Sequence, residues 1–122
     1  MENSAVILLG HGSRADKANE EFASVVDNLA ARLDYQYVTG AAMELTEPTL
    51  ATKVDELVEK GIEKIIILPL FLFPGIHVQN DIPAMVGQLR EKYSQVEFKM
   101  GDVIGDDERL VDILQDRLKG VK

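Results

Sequence analysis

The chain has 122 residues, of which 46% are hydrophobic, as is typical of one globular domain. Its net charge of −8 argues against nucleic-acid and membrane partners, because both kinds of surface bind clustered positive charge. The sequence contains no cysteine, which excludes disulfides and thiolate metal ligands, and it shows no signal peptide or apolar run long enough for a membrane span. We therefore expect a cytoplasmic protein.

Strand and helix patterns alternate through the first half of the chain. Residues 5–9 form a continuous apolar run that ends at a glycine, which predicts a buried strand. Residues 15–33 show helical spacing, and residues 35–43 form a less apolar strand that we expect nearer an edge of the sheet. The predicted inward face of the first helix is Phe22, Val25, Val26, Leu29, Ala30 and Leu33.

A second helix and the strongest strand pattern follow. Thr46 or Glu47 is the expected cap of this helix, with Pro48 in its first turn and Gly61 at its end. Its predicted apolar positions are Leu50, Val54, Leu57 and Val58. Residues 64–68 form an apolar run without alternation, which predicts a strand with both faces buried.

The last third of the chain repeats the same alternation. A third helix is predicted over residues 82–92, with Asp81 as its cap and Pro83 at its first position. A fourth strand over residues 96–100 precedes a last helix over residues 106–118, whose acidic start suits a helix N-terminus. We expect four side chains of this helix to face inward: Leu110, Ile113, Leu114 and Leu118.

This order of elements predicts an α/β fold, because strands that alternate with helices form parallel sheets with right-handed crossovers. We expect a single three-layer domain over residues 1–122, with a four-stranded sheet of flavodoxin-like topology in the order 2-1-3-4. Strands 1 and 3 are then neighbours whose connections leave to opposite faces. The crevice outside their carboxyl ends is where such sheets bind ligands.

Three metal-binding residue types occur at the ends of strands. His11 follows strand 1, Glu44 closes strand 2 and His77 lies in the loop after strand 3. Imidazole and carboxylate groups suit Co²⁺, Ni²⁺, Fe²⁺ or Zn²⁺, so these residues predict a metal site. The alternative is that each histidine is a hydrogen-bonded structural residue and Glu44 is solvated. Glu47 is a second candidate for the carboxylate.

Two loops could hold an organic or anionic ligand. Residues 10–14 form a glycine-bearing turn before a helix, where amide groups can bind an anion, and Ser13 and Arg14 could add donors. Alternatively, Ser13 only caps the helix. The turn lacks the P-loop signature, which disfavours a flavodoxin-like phosphate or nucleotide binder. Residues 70–73 supply flat apolar surface, either as one wall of a ligand site or as packing beneath the loop.

Six segments resemble the short CbiX-type chelatases, the class II enzymes that insert a divalent metal into sirohydrochlorin. The resemblance rests on residues 9–14, 43–48, 69–72, 75–77, 81–83 and 104–107. It implies that His11 and His77 are the metal-binding pair and that Glu44 assists metal binding or proton removal. It also implies a symmetric homodimer.

The resemblance further implies how the macrocycle binds. Gly12, Ser13 and Arg14 are the local donors expected for its eight carboxylates. The expected bed for the ring is Leu70, Phe71, Leu72, Phe73, Pro74 and Gly75. The metal is a substrate and no cofactor is tightly bound; Co²⁺ insertion for cobalamin is favoured, with Ni²⁺ insertion for the nickel tetrapyrrole coenzyme and Fe²⁺ insertion for sirohaem as alternatives. A carrier of tetrapyrrole or metal that performs no chemistry is the alternative of another class.

Overall fold

The computed structural model describes residues 2–122, except for the side chain of His77. Strands and helices alternate throughout this part of the chain. The elements are β1 (Ser4–Gly10), α1 (Asp16–Arg32), β2 (Tyr37–Ala42), α2 (Leu50–Glu59), β3 (Lys64–Pro69), α3 (Ile76–Lys92), β4 (Glu97–Met100) and α4 (Glu108–Lys119). Within residues 2–122, no helix combines the length and apolar character needed to cross a bilayer.

The four strands form one parallel sheet in the order β2-β1-β3-β4, which confirms the predicted fold class and strand order. The pairing register aligns Gly10 with Ala42 and Leu9 with Pro69. The carboxyl ends of β1, β2 and β3 therefore lie side by side. The loops that follow these three strands start from one edge of the sheet, which is where ligands bind in this topology.

The main core lies between the sheet and the pair of helices α2 and α3. Ile7 and Ile65 point to this face from neighbouring strands, and Leu57 and Val86 meet them from the helices. Each is at most 2% exposed, and such burial is worth about 1.5–3 kcal/mol for each large side chain. Helix α1 covers the opposite face, where the Phe22 ring lies against Gly10 and Gly40. The domain therefore has three layers.

Two burial predictions are wrong in detail. β3 is not buried equally on both faces: Ile65 and Ile67 are buried, whereas Ile66 and Leu68 on the other face are only half-buried. On that face α1 lies mainly over β2, so it covers Ile66 and Leu68 of β3 less completely. In α1, Val25 is exposed although it was assigned to the inward face, whereas its neighbour Val26 is buried.

Helix α2 begins later than predicted. Thr49 is its N-cap, and the Thr49 hydroxyl accepts a hydrogen bond from the Thr52 amide. The predicted caps Thr46 and Glu47 lie before the helix, and Pro48 precedes the first turn instead of belonging to it. Thr49 is preferred because its hydroxyl satisfies an amide that the first turn leaves without a partner.

Helix α3 begins at Ile76, well before the predicted start at residue 82, so Pro83 lies inside the helix instead of opening it. Proline removes one helical hydrogen bond, yet here packing outweighs that cost. Ile82, the residue before the proline, is completely buried in the core. The Gln79 side chain also donates to the Pro74 carbonyl and so supports the first turn.

Helix α4 differs most from the prediction. Leu110 is half-buried, but Ile113, Leu114 and Leu118 are exposed although they were expected to face inward. Helical spacing identifies an apolar stripe but does not show what covers it. The acidic start is confirmed as a helix cap: Asp107 accepts from the Arg109 amide, and its pairing with the Arg109 guanidinium lowers the pKa of Asp107 to about 2.

A polar clamp joins α2 to the end of α3. The Tyr93 hydroxyl donates to the Asp55 carboxylate, and the Lys92 ammonium lies 3.1 Å from the same oxygen. The Tyr93 hydrogen bond, followed by the one from Lys92, lowers the pKa of Asp55 below its ordinary 3.8. The clamp therefore stabilises the folded chain only while Asp55 is ionised.

Replacing Asp55 with Asn tests this clamp. We expect Asp55→Asn to lower the free energy of unfolding at pH 7 by at most about 1 kcal/mol, because the group is largely solvent-exposed. The difference from the parent should shrink as the pH falls below 3.8 and Asp55 becomes protonated. Urea unfolding at several pH values measures it, with Glu59→Gln on the same helix as the control. A difference that is unchanged at low pH would contradict the assignment.

Candidate functional site

Three loops meet at the carboxyl edge of the sheet. Loop 1 (residues 11–15) follows β1, loop 2 (residues 43–49) follows β2 and loop 3 (residues 70–75) follows β3. The Leu70 amide of loop 3 donates to the Leu9 carbonyl at 2.8 Å. The Met43 amide of loop 2 donates to the Gly10 carbonyl at 2.9 Å. The pairing of β1 with both neighbours therefore continues into the loops.

Gly12 allows loops 1 and 2 to touch. Its φ is +100°, and a Cβ added there would lie 1.8 Å from the Glu44 carbonyl oxygen. No L-residue with a side chain fits that space, and few adopt that backbone conformation. The Glu44 amide donates to the His11 carbonyl at 3.2 Å. The absence of a side chain at Gly12 therefore allows the backbones of His11 and Glu44 to lie against each other.

The side chains of His11 and Glu44 also meet. The His11 Nε2 atom lies 3.4 Å from the Glu44 Oε1 atom, and both side chains are 62% exposed. Two ligands each about 2.1 Å from a tetrahedral ion lie roughly 3.4 Å apart, so this spacing suits a shared metal ion. Among the described side chains, no cluster of three or more His, Cys, Asp or Glu residues forms. The pair thus offers two ligands and leaves coordination positions open.

His77 lies on the second residue of α3 and not in a loop as predicted. The cause is the early start of α3 at Ile76. Its backbone still follows β3 and loop 3, at the carboxyl edge of the sheet. The side chain of His77 lies outside the described residues, so its role as the second metal-binding histidine stays a prediction.

Loop 1 presents polar groups near the His11–Glu44 pair. The Ser13 hydroxyl accepts from the Ala15 amide at 3.0 Å, and the Ser13 carbonyl accepts from the Asn19 side chain at 3.0 Å. Ser13 therefore orders the turn before α1, but the prediction that it caps the helix is wrong, because Ala15 is the N-cap and has no side-chain cap hydrogen bond. Arg14 is exposed and makes no hydrogen bond or ion pair within the described part of the chain. Its guanidinium is available to an anionic ligand.

Loop 3 supplies the apolar surface expected there. Leu70 and Phe71 are half-buried, whereas Leu72 and Phe73 are 49% and 61% exposed. The remaining predicted contacts, Pro74 and Gly75, are exposed as well. The Phe71 ring also contacts the His11 imidazole edge to face, with 6.5 Å between the ring centroids. The structure therefore brings the apolar wall and the metal-binding candidate together.

Sequence reasoning missed several residues around this edge. Leu45 of loop 2, Ile76 of α3 and Ile104 after β4 are large apolar side chains left exposed beside the three loops. A cavity of about 530 Å³ also opens on the α1 side of His11, with Phe22 and Lys53 in its lining. All three lie within segments that carry the family resemblance, 43–48, 75–77 and 104–107, which was the only available signal. The cavity had none.

A family model described as CbiX matches residues 5–121. The chain belongs to the CbiX family. It is 33% identical over 114 residues to a sirohydrochlorin ferrochelatase of Priestia megaterium, covering 93% of this chain and 43% of the relative. It is 32% identical over 140 residues to a sirohydrochlorin cobaltochelatase of Methanococcus aeolicus, covering 95% and 98%.

A solved structure shows the same fold. The cobalt complex of the sirohydrochlorin chelatase SirB from Bacillus subtilis subspecies spizizenii superposes with a TM-score of 0.89 at 31% identity. The match covers 97% of this CbiX chain and 50% of that one. The chain thus spans about half the length of some relatives and nearly the full length of others.

Two glycine variants test the contact between loops 1 and 2. We expect Gly12→Ala to lower the free energy of unfolding by about 2 kcal/mol or more, through strain at positive φ and the clash with loop 2. Gly87→Ala is the matched control, because a Cβ at that position in α3 meets nothing within 4 Å. This variant should raise the free energy of unfolding by about 0.5–1 kcal/mol. Thermal and urea unfolding give both values. Equal stability of the two variants would contradict the close approach.

Proposed function

We propose that this chain inserts a divalent metal ion, with Co²⁺ favoured, into sirohydrochlorin in cobalamin biosynthesis. The observation that carries the proposal is the pairing of His11 Nε2 with Glu44 Oε1 at 3.4 Å, beside exposed apolar side chains on the ligand-binding edge of the sheet. The match to the cobaltochelatase of Methanococcus aeolicus, which covers 98% of that relative, supports both the reaction and the metal.

The metal is a substrate that must enter and leave. His11 Nε2 and Glu44 Oε1 bind it from one side, and we assign His77 as the second imidazole. Two or three protein ligands with open positions hold an ion less permanently than a closed four-ligand site. The open positions admit the pyrrole nitrogens. The net charge of −8 also favours the approach of a cation.

The tetrapyrrole lies against the apolar surface of loop 3. Leu72 and Phe73 are large, exposed and uncharged, and such walls suit a flat macrocycle. The acidic chain opposes a ligand with eight carboxylates, so local donors must offset that repulsion. Arg14 and the amides of Gly12 and Ser13 are our candidates for this role.

Metal insertion also requires two pyrrole N–H protons to leave. A proton acceptor must lie within hydrogen-bond reach of the ring nitrogens. Glu44 is exposed and adjacent to the metal-binding imidazole, so either its carboxylate or an imidazole takes the protons. Holding the ion and the ring at one edge turns a bimolecular encounter into a positioned transfer.

Single substitutions test the assigned ligands. We expect His11→Ala and His77→Ala each to lower metal insertion at least 100-fold, because each removes an imidazole ligand. Glu44→Gln should lower it about 10- to 100-fold through loss of a charged ligand or proton acceptor. The absorbance change of sirohydrochlorin on metal insertion measures the rate. Glu59→Gln, on the exposed surface of α2, is the control; full activity in both histidine variants would refute the site.

A panel of metals tests the preference for cobalt. At equal free-ion concentrations, we expect Co²⁺ to be inserted faster than Ni²⁺ or Fe²⁺. Preference for Ni²⁺ would instead assign the chain to synthesis of the nickel tetrapyrrole coenzyme, and preference for Fe²⁺ would assign it to synthesis of sirohaem. Stoichiometric binding without multiple turnovers would instead indicate a tetrapyrrole or metal carrier.

We further propose that residues 1–122 act as one chelatase domain within a homodimer in the cytoplasm. The support for the dimer is an apolar stripe on and just after α4 that this chain leaves 49–72% exposed. The stripe consists of Val111, Ile113, Leu114, Leu118 and Val121. Exposed apolar patches of this kind mark protein interfaces. Cell fractionation tests the location.

A charge placed in this stripe tests the dimer. We expect Leu118→Glu to convert a dimer into a monomer, because a carboxylate in an apolar interface loses its hydration without a partner. Lys119→Gln changes the net charge by the same one unit on the same helix, away from the stripe, and should leave the mass unchanged. Light scattering during gel filtration measures the mass. A parent protein that is monomeric at all concentrations would exclude the homodimer.

A further inference from the structure

Phe71 lies where loop 3 meets loop 1. The planes of its ring and the His11 imidazole are at 89°, with 6.5 Å between the centroids. This is an edge-to-face arrangement within the range of favourable aromatic pairs. Sequence reasoning assigned Phe71 to the macrocycle bed. Its half-buried side chain and its contact with His11 indicate another role.

The Phe71 ring is held from several directions. Its side chain packs against the main core cluster, and its carbonyl accepts from the Ile104 amide at 2.9 Å. On either side, the Leu70 amide donates to the β1 residue Leu9 and the Leu72 carbonyl accepts from the Gly105 amide. The backbone of Phe71 is therefore fixed to β1 and to the segment after β4. A ring fixed in this way can act as a wall for its neighbour.

The His11 imidazole, by contrast, is open to solvent. Its side chain is 62% exposed, and it pairs with the Glu44 carboxylate and the Phe71 ring. The Glu44 carboxylate is equally exposed and is itself a candidate metal ligand, so it is free to turn. Phe71 is the contact anchored in the core. Loss of its ring would allow the imidazole to rotate away from Glu44.

We propose that Phe71 is a positioning residue that holds the His11 imidazole toward Glu44, so that both can bind the same divalent cation. This inference rests on the proposed function. Phe71 then acts mainly on metal affinity, whereas the exposed Phe73 acts on the tetrapyrrole. The two phenylalanines of one loop thereby serve the two substrates separately.

A separation of the two KM values tests the inference. We expect Phe71→Leu, which keeps apolar bulk, to raise KM for Co²⁺ about three- to tenfold, as expected for loss of one aromatic pair. KM for sirohydrochlorin should stay the same. Phe73→Leu should leave KM for Co²⁺ unchanged. Phe71→Tyr, which keeps the ring, should restore KM for Co²⁺ to the parent value.

The visible absorption spectrum of bound Co²⁺ provides a second measurement. Phe71→Leu should change the ligand-field bands and weaken Co²⁺ binding, a result that a purely structural role would not produce in a variant with an unchanged melting temperature. Phe71→Met is the replacement if Phe71→Leu does not fold. An unchanged KM for Co²⁺, or an increase in KM for sirohydrochlorin alone, would overturn the inference. A parent protein that shows no turnover would refute the proposed function. Titration of the protein with Co²⁺ alone tests Phe71 separately: equal Co²⁺ affinity of the parent and Phe71→Leu would overturn its positioning role.

Discussion

The close approach of loops 1 and 2 at Gly12 is the contact on which the rest of the site depends. The Glu44 carbonyl occupies the space of a side chain at residue 12, and backbone hydrogen bonds extend the pairing of β1 and β2 into both loops. This contact places an imidazole and a carboxylate within 3.4 Å, although they lie far apart in the sequence. The parallel sheet brings the two loops to the same edge, and the absence of a side chain at Gly12 allows them to approach closely enough for His11 and Glu44 to pair.

The two proposed substrates make opposite electrostatic demands on this edge. A net charge of −8 favours a divalent cation and disfavours a polycarboxylate macrocycle. The arrangement of the loops answers both demands. The proposed metal-binding pair joins loops 1 and 2. The proposed tetrapyrrole surface is the nearly uncharged loop 3, and Arg14 of loop 1 makes no hydrogen bond or ion pair within the described residues. Phe71 connects the two parts because it belongs to loop 3 and contacts His11.

The sheet order and the positions of His11 and Glu44 could be predicted from sequence because both follow from periodicity and topology. Alternating patterns fixed the parallel order, and strand ends placed these residues at one edge. The start of α3 could not be predicted, because burial of Ile82 outweighed the local signal of Pro83. The exposure of α4 was also missed, since an apolar stripe looks the same whether its own chain or a partner covers it. The roles of Gly12 and Phe71 depend on contacts between loops, which a single sequence does not encode locally.

The most direct test of this account is a crystal structure of the protein with Co²⁺, with anomalous scattering measured at the cobalt absorption edge. We expect one strong peak about 2.1 Å from both His11 Nε2 and Glu44 Oε1, with the imidazole of His77 as a further ligand. The Phe71 ring should remain against the His11 imidazole. A cobalt peak bound only by carboxylates elsewhere on the surface, with His11 turned away from Glu44, would contradict the central claim.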